Sequence, residues 1–160
     1  MDASALIQKL QLQAHPEGGY YRETFRSKQE IVVGEDCVRN TSTVIYYLLK
    51  ERDKSHFHRL KSDESWFFHQ GTPLVVEVLA QGVRKTILLG NDLEKGEVPQ
   101  VIIPANAWFA AKVADGRHFA LVSCVVAPGF VFKDFEMAER ETLTTQFPEF
   151  ALLIEEYTQK

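Results

Sequence analysis

Apolar positions recur along most of this chain with a period of two. YYRETF (20–25), TSTVIYYLL (41–49), ESWFFHQ (64–70), LVVEVLA (74–80), KTILLG (85–90), VPQVIIP (98–104), WFAAKV (108–113) and HFALVSCVVA (118–127) are short runs rich in Val, Ile, Tyr and Phe. Gly, Asn, Asp or Pro separates most of them, and no helical pattern lies between. Eight short strands with turn-like gaps predict a sandwich, barrel or jelly roll, not a βαβ layout. The two ends differ in period. Ala3, Leu6, Ile7 and Leu10 share one face of a helix over residues 2–12, with Asp2 as its cap. Phe150, Leu153, Ile154 and Tyr157 form the stripe of a second helix starting near Pro148, packed on the outside of the barrel. With no repeat or linker, the chain reads as a single domain, 1–160: an N-terminal helix in 1–14, a barrel over 15–130 and a helical tail over 131–160.

Composition fits a self-sufficient core, since 45% of the 160 residues are hydrophobic. The formal net charge of −4 disfavours nucleic acid as a partner. No apolar run approaches the roughly 18 residues of a spanning helix, so no membrane association is expected. The start, MDASALIQKLQLQ, lacks the basic stretch and long apolar middle of a leader peptide. Cys37 and Cys124 have no CxxC spacing and read as buried thiols. Together these predict a cytoplasmic protein.

The chemistry concentrates in SHFHRLKSDESWFFHQG (55–71). His56 and His58 are two apart, which on a regular strand puts both imidazoles on one face. Glu64 follows after a further even step. Two imidazoles and a carboxylate suit a divalent ion such as Zn²⁺, Fe²⁺ or Mn²⁺, and equally suit proton transfer without one. Glu64, Trp66 and Phe68 share one face of their strand, and both faces are apolar. A carboxylate there needs a partner.

The order HxH, Glu, six residues, Gly (His56, His58, Glu64, Gly71) resembles the first motif of the cupin superfamily. In the second motif, PANAWF puts Asn106 in place of Gly and Phe109 where the fourth ligand His belongs, with Val113 at the position of the final Asn. HPEGGYYRETFRS (15–27), TSTVIYYLL, the His-rich stretch and IPANAWFAA together resemble a small cupin branch known mainly as a domain of unknown function. The resemblance implies one cupin-type jelly-roll barrel, a homodimer, and a barrel that holds a small-molecule ligand. Its shape is also similar to metal-independent sugar-nucleotide epimerases that use a His base and a Tyr acid.

In HPEGGYYRETF, Gly18 and Gly19 give a tight entry to a strand. Tyr21, Glu23 and Phe25 then face one way, and Tyr20, Arg22 and Thr24 the other. Tyr21 and Glu23 can bond a ligand hydroxyl, and Arg22 a carboxylate or phosphate. The same run also reads as an edge strand blunted by charges. His15 reads as a local hydrogen-bonding residue, His69 as a packing histidine facing away from Glu64, and His118 as a turn residue. Trp108 beside Phe109 reads as core, although at the second motif it would line the barrel mouth; Trp66, Phe68, Trp108 and Phe109 are the candidate aromatic ligand contacts.

Three functional readings follow. The first is a metal-independent isomerase or epimerase acting on a sugar-like compound. There His56 or His58 serves as base, Glu64 orients it, and Tyr21 is the acid. The second is a metal-dependent enzyme with His56, His58 and Glu64 as ligands. The third is a non-catalytic module that only binds its ligand.

Overall fold

The computed structural model describes residues 1–160, and each of the eight expected strands is present within two residues of its expected ends. One sheet runs β1 (Gln13–Ala14), β2 (Tyr20–Arg26), β5 (Thr43–Lys50), β12 (Phe119–Ala127), β7 (Asp63–Gly71), β10 (Gln100–Ile103). The other runs β13 (Phe135–Met137), β6 (Lys54–Leu60), β11 (Trp108–Val113), β8 (Leu74–Ala80), β9 (Val83–Leu89). A separate hairpin joins β3 (Glu30–Gly34) to β4 (Cys37–Asn40). The named strands all pair antiparallel. The two large sheets face each other as a jelly-roll sandwich.

Alternation along each strand sorts side chains into three layers. Tyr47, Leu49, Trp66, Val76, Phe109 and Val122 point between the sheets into the main core. Their neighbours Leu48 and Leu121 point outward and are covered by Leu6 and Leu12 of the N-terminal segment. On the opposite outer face Phe57, Leu79, Trp108 and Ala110 are covered by Leu143, Phe147, Ile154 and Tyr157. Strands buried on both faces explain why their sequences read as continuous apolar runs.

Helix α1 (Ala3–Lys9) is capped by Asp2, whose carboxylate accepts from the Ala5 amide at 2.8 Å. It ends earlier than the expected 2–12, because Gln11 turns to a positive φ of 55°. The C-terminal stretch is two helices rather than one: α2 (Arg140–Gln146), a single 3₁₀ turn (Pro148–Phe150) and α3 (Ala151–Glu156). RETLTTQ buries only Leu143, so its sequence carries little periodic signal. β13 lies within the stretch read as tail and extends the five-stranded sheet by pairing with β6. No helix is long and apolar enough to cross a membrane.

Phe57 ties the helices to the barrel. It is fully buried, its amide donates to the Tyr157 carbonyl at 2.8 Å, and its carbonyl accepts from Ala138 at 2.9 Å. Phe57→Ala should cost about 3–5 kcal/mol in denaturant unfolding. Amide exchange should rise first in α2 and α3; a rise confined to the main core strands would contradict this division of layers.

Candidate functional site

The site is built around a residue that sequence reasoning passed over. In HPEGG the chain turns back on itself: the His15 amide donates to Gly19 and the Gly18 amide to His15, at 2.9 and 3.0 Å. Gly18 and Gly19 have φ of 108° and 75°. A Cβ at Gly18 would collide with the Lys54 carbonyl, so no other residue fits. This turn drives the Glu17 side chain into the barrel, where the residue is 5% exposed. The Tyr47 hydroxyl donates to the Gly18 carbonyl at 2.6 Å and fixes the turn from inside.

Glu17 Oε2 lies 2.7 Å from His58 Nε2. The other His58 nitrogen, Nδ1, donates to the His56 carbonyl at 2.7 Å. With Nδ1–H committed, the Nε2 contact requires one further proton shared by the imidazole and the carboxylate. Burial opposes charge on both groups, yet their mutual attraction outweighs it: the His58 pKa is raised and the Glu17 pKa lowered. The pair is therefore an imidazolium and a carboxylate. Glu64 lies nearby with no hydrogen bond to Oε2. Burial, and then the negative charge of Glu17, push its pKa up to about 8, with His58 partly opposing. Around neutral pH Glu64 is mainly a neutral acid.

Above this pair opens a cavity of about 470 Å³. His15 and Tyr21 form one wall, their ring centroids 4.6 Å apart. Phe130 and Phe132 form another, and Cys124, beside Glu64, reaches it from β12. His15 Nδ1 accepts from the Glu17 amide at 3.1 Å and stands 3.9 Å from Glu17 Oε2. Its Nε2 and the Tyr21 hydroxyl make no hydrogen bond to protein. Burial lowers the His15 pKa; Glu17 opposes the shift and His58 adds to it. His15 is thus a neutral imidazole at neutral pH.

The expected residues divide. Tyr21 and Glu23 line the cavity. Glu64 and His58 are inside the barrel, 6% and 2% exposed. His56 does not join them as a donor set. The β6–β11 register passes from His58 opposite Phe109 to Ser55 opposite Ala111, three steps against two, with His56 in the irregularity. His56 Nδ1 donates to the Glu17 carbonyl at 2.8 Å instead. Trp66 and Phe68 belong to the main core. Phe109 is inside too, its ring 4.1 Å from that of His58. Trp108 is not at the mouth: it faces outward under the C-terminal helices, with the Arg59 guanidinium 4.4 Å from its ring. Arg22 also points away, bonded to Gln11 and lying over Tyr46.

Arg26 takes the place expected for Arg22. The β2–β5 register shifts between Glu23 and Phe25, so the side-chain alternation reverses there. Arg26 thereby joins Glu23 at the cavity, with contacts of 2.6 and 3.3 Å to its carboxylate. The remaining guanidinium bonds go to Asn40 Oδ1 and to the Phe130 carbonyl, both at 2.9 Å. His69 is on the outer face and bonds Ser123, and His118 bonds Asp115 in its turn. Cys37 is only half-buried.

His56, His58 and Glu64 do not fit a metal ion in this arrangement. His58 has both nitrogens engaged, His56 has Nδ1 engaged, and no group of three His, Cys, Asp or Glu side chains is placed to hold one.

Residues 4–138 match the family described as Cupin superfamily (DUF985). The uncharacterized protein YML079W of Saccharomyces cerevisiae is 33% identical over 150 residues, covering 85% of this chain and 75% of that protein. A hypothetical protein from Leishmania major is 36% identical with a TM-score of 0.94 over 100% of both chains. Protein SO0799 from Shewanella oneidensis is 36% identical with a TM-score of 0.91, over 99% of this chain and 98% of that one. Oxalate decarboxylase from Bacillus subtilis, 14% identical with a TM-score of 0.60 over 92% of this chain and 37% of that one, shares the fold.

Glu64 gives the site a testable pH signature. Its folded pKa is raised to about 8 from 4.5, so the folded state retains a proton that the unfolded state loses. The associated stability is full below pH 4.5 and is lost as pH rises toward 8. Glu64→Gln, which cannot titrate, should flatten this slope. Relative to wild type it should gain about 4 kcal/mol between pH 4.5 and 8.5 in denaturant titrations. Parallel curves for the two proteins would show that Glu64 is already ionised when folded.

Proposed function

The chain belongs to the DUF985 family of the cupin superfamily, and from that premise we propose that it binds a small molecule in its barrel cavity and moves a proton on it without a metal ion. The reaction type is an isomerisation or epimerisation at a carbon beside a carbonyl, with sugars and cyclic ketones as the two substrate classes to be told apart. The observation that carries this reading is the pairing, on one cavity wall, of a neutral imidazole and a phenol whose polar ends are unused by the protein.

His15 Nδ1 has two neighbours on Glu17, the amide at 3.1 Å and Oε2 at 3.9 Å. Facing the amide, the ring keeps its proton on Nε2 and is a donor. Turned slightly toward Oε2, it can take a proton from solvent on Nδ1 and release the Nε2 proton to solvent, which offers the Nε2 lone pair to the cavity. In that state His15 removes a proton from carbon while the Tyr21 hydroxyl protonates the carbonyl oxygen, giving an enol. Return of both protons to the same face gives back the substrate with hydrogen exchanged; if the enol first turns over in the cavity, His15 reprotonates the opposite face and Tyr21 recovers its proton, which completes the epimerisation. Glu17 steadies the intermediate imidazolium, and His58 keeps Glu17 ionised. The roles are those expected from the sequence, with His15 in place of His56 or His58 and Glu17 in place of Glu64.

Incubating the protein in D₂O with a panel of aldoses, ketoses and simple cyclic ketones tests this, with loss of C–H signal read by NMR. His15→Gln and Tyr21→Phe should each slow exchange about 100-fold or more. The rate should fall in acid with a midpoint below 6.5, because burial lowers the His15 pKa from that value. An absence of exchange across the panel, or exchange untouched by both substitutions, overturns the reading.

A further inference from the structure

We infer that the cavity selects an uncharged, flat ring compound bearing one carbonyl, rather than a polyol, a carboxylate or a phosphate ester. The inference rests on the proposed use of this cavity and names the class of ligand it takes.

Charge comes first. Glu23 and Arg26 are the charged residues among those lining the cavity, and they are bound to each other through two contacts. Two further donors of Arg26 go to Asn40 and the Phe130 carbonyl, which leaves one Nη1–H on a cation whose charge Glu23 already balances. His15 is held neutral by burial, and beneath it the charges of Glu17 and His58 cancel. An ionic ligand would leave water and find no free counter-charge.

Polar capacity comes second. Seven of the 12 lining residues are hydrophobic. The Thr43 hydroxyl accepts from the Phe130 amide at 3.0 Å and keeps its own hydrogen. His15 Nε2, the Tyr21 hydroxyl, the Gln13 amide and that one Thr43 hydrogen are left to serve a ligand. That set suits one carbonyl and leaves most hydroxyls of a sugar without partners.

Shape comes third. Phe130 and Phe132, both lining the cavity, stand edge to face with 5.0 Å between centroids. Phe132 remains 52% exposed, a large aromatic surface at the rim with nothing covering it. A flat ring stacks there with its carbonyl directed at His15 and Tyr21.

Titration of the full chain at pH 7, followed by NMR, with benzamide, benzoate, benzamidine, cyclohexanecarboxamide and glucose tests each term separately. Benzamide should bind most tightly. Benzoate and benzamidine should be at least tenfold weaker, cyclohexanecarboxamide at least threefold weaker, and glucose without effect. Phe132→Ala, at a half-exposed position and with an unchanged unfolding midpoint as the control for folding, should weaken benzamide at least fivefold. Benzoate, benzamidine or glucose binding as well as benzamide overturns the inference, as does benzamide failing to bind up to its solubility limit. Binding requires no turnover. Selectivity for benzamide without proton exchange in any substrate sinks the catalytic reading alone, whereas exchange on open-chain sugars with no benzamide binding sinks the ligand class alone.

Discussion

One proton shared between His58 and Glu17 organises the interior of this barrel. Either group alone would be an uncompensated buried charge, costing about 3–5 kcal/mol once its partner is removed. Together they are tolerated at 2.7 Å, with Nδ1 of the same ring satisfied by a backbone carbonyl. Keeping the pair closed requires Glu17 to stay inside, and Glu17 sits in a turn between a proline and two glycines of positive φ. The pair thus acts as a pin through the HPEGG turn. Tyr47 and His56 reinforce it by bonding the carbonyls of Gly18 and Glu17. Once the turn is pinned, His15 and Tyr21 on either side of it have no choice but to form the cavity wall.

The same electrostatics explain why Glu64 differs from Glu17 although both are buried. One imidazolium can neutralise one carboxylate. Glu17 holds the short contact, so a charge on Glu64 would repel it with no cation of its own. The two carboxyl groups are therefore pushed apart in pKa, the pattern that separates a permanent base or counter-ion from a neutral acid in one site.

The strands were legible because period-two patterning survives wherever a strand is buried, and β8 and β11 agree with their expected ends residue for residue. β6 was the exception, since KSHFHRL carries too little apolar signal. The site was half legible. Tyr21, Glu23, His58 and Glu64 could be placed from strand parity because the pairing is regular up to each of them. His56 and Arg22 could not, since irregular steps in β6 and β2 change which side chains face inward, and nothing in HFH or RETF announces such a step. Arg26 shows the same step from the other side: strict alternation from Glu23 would turn it away, yet it lines the cavity. Glu17 was missed for another reason. A glutamate between Pro16 and Gly18 reads as solvated, and only its contact with a residue 41 positions later makes it buried.

Phe109 and Glu17 are best understood as one device. A histidine at position 109 would bring a third imidazole to His58 and, with it, another nitrogen seeking a cation or a proton. Phenylalanine brings an apolar ring instead, 4.1 Å from the His58 ring centroid, and closes that side to further polar groups. His58 then has one direction left in which to satisfy Nε2, and the turn supplies a carboxylate there. The consequence is chemical. A nitrogen that could have faced the cavity becomes an internal counter-charge. On the proposed reading, the nitrogen that meets a ligand is then His15 of the turn rather than a strand histidine. Loss of the second-motif histidine and the Gly-Gly turn are thus two parts of a single packing solution.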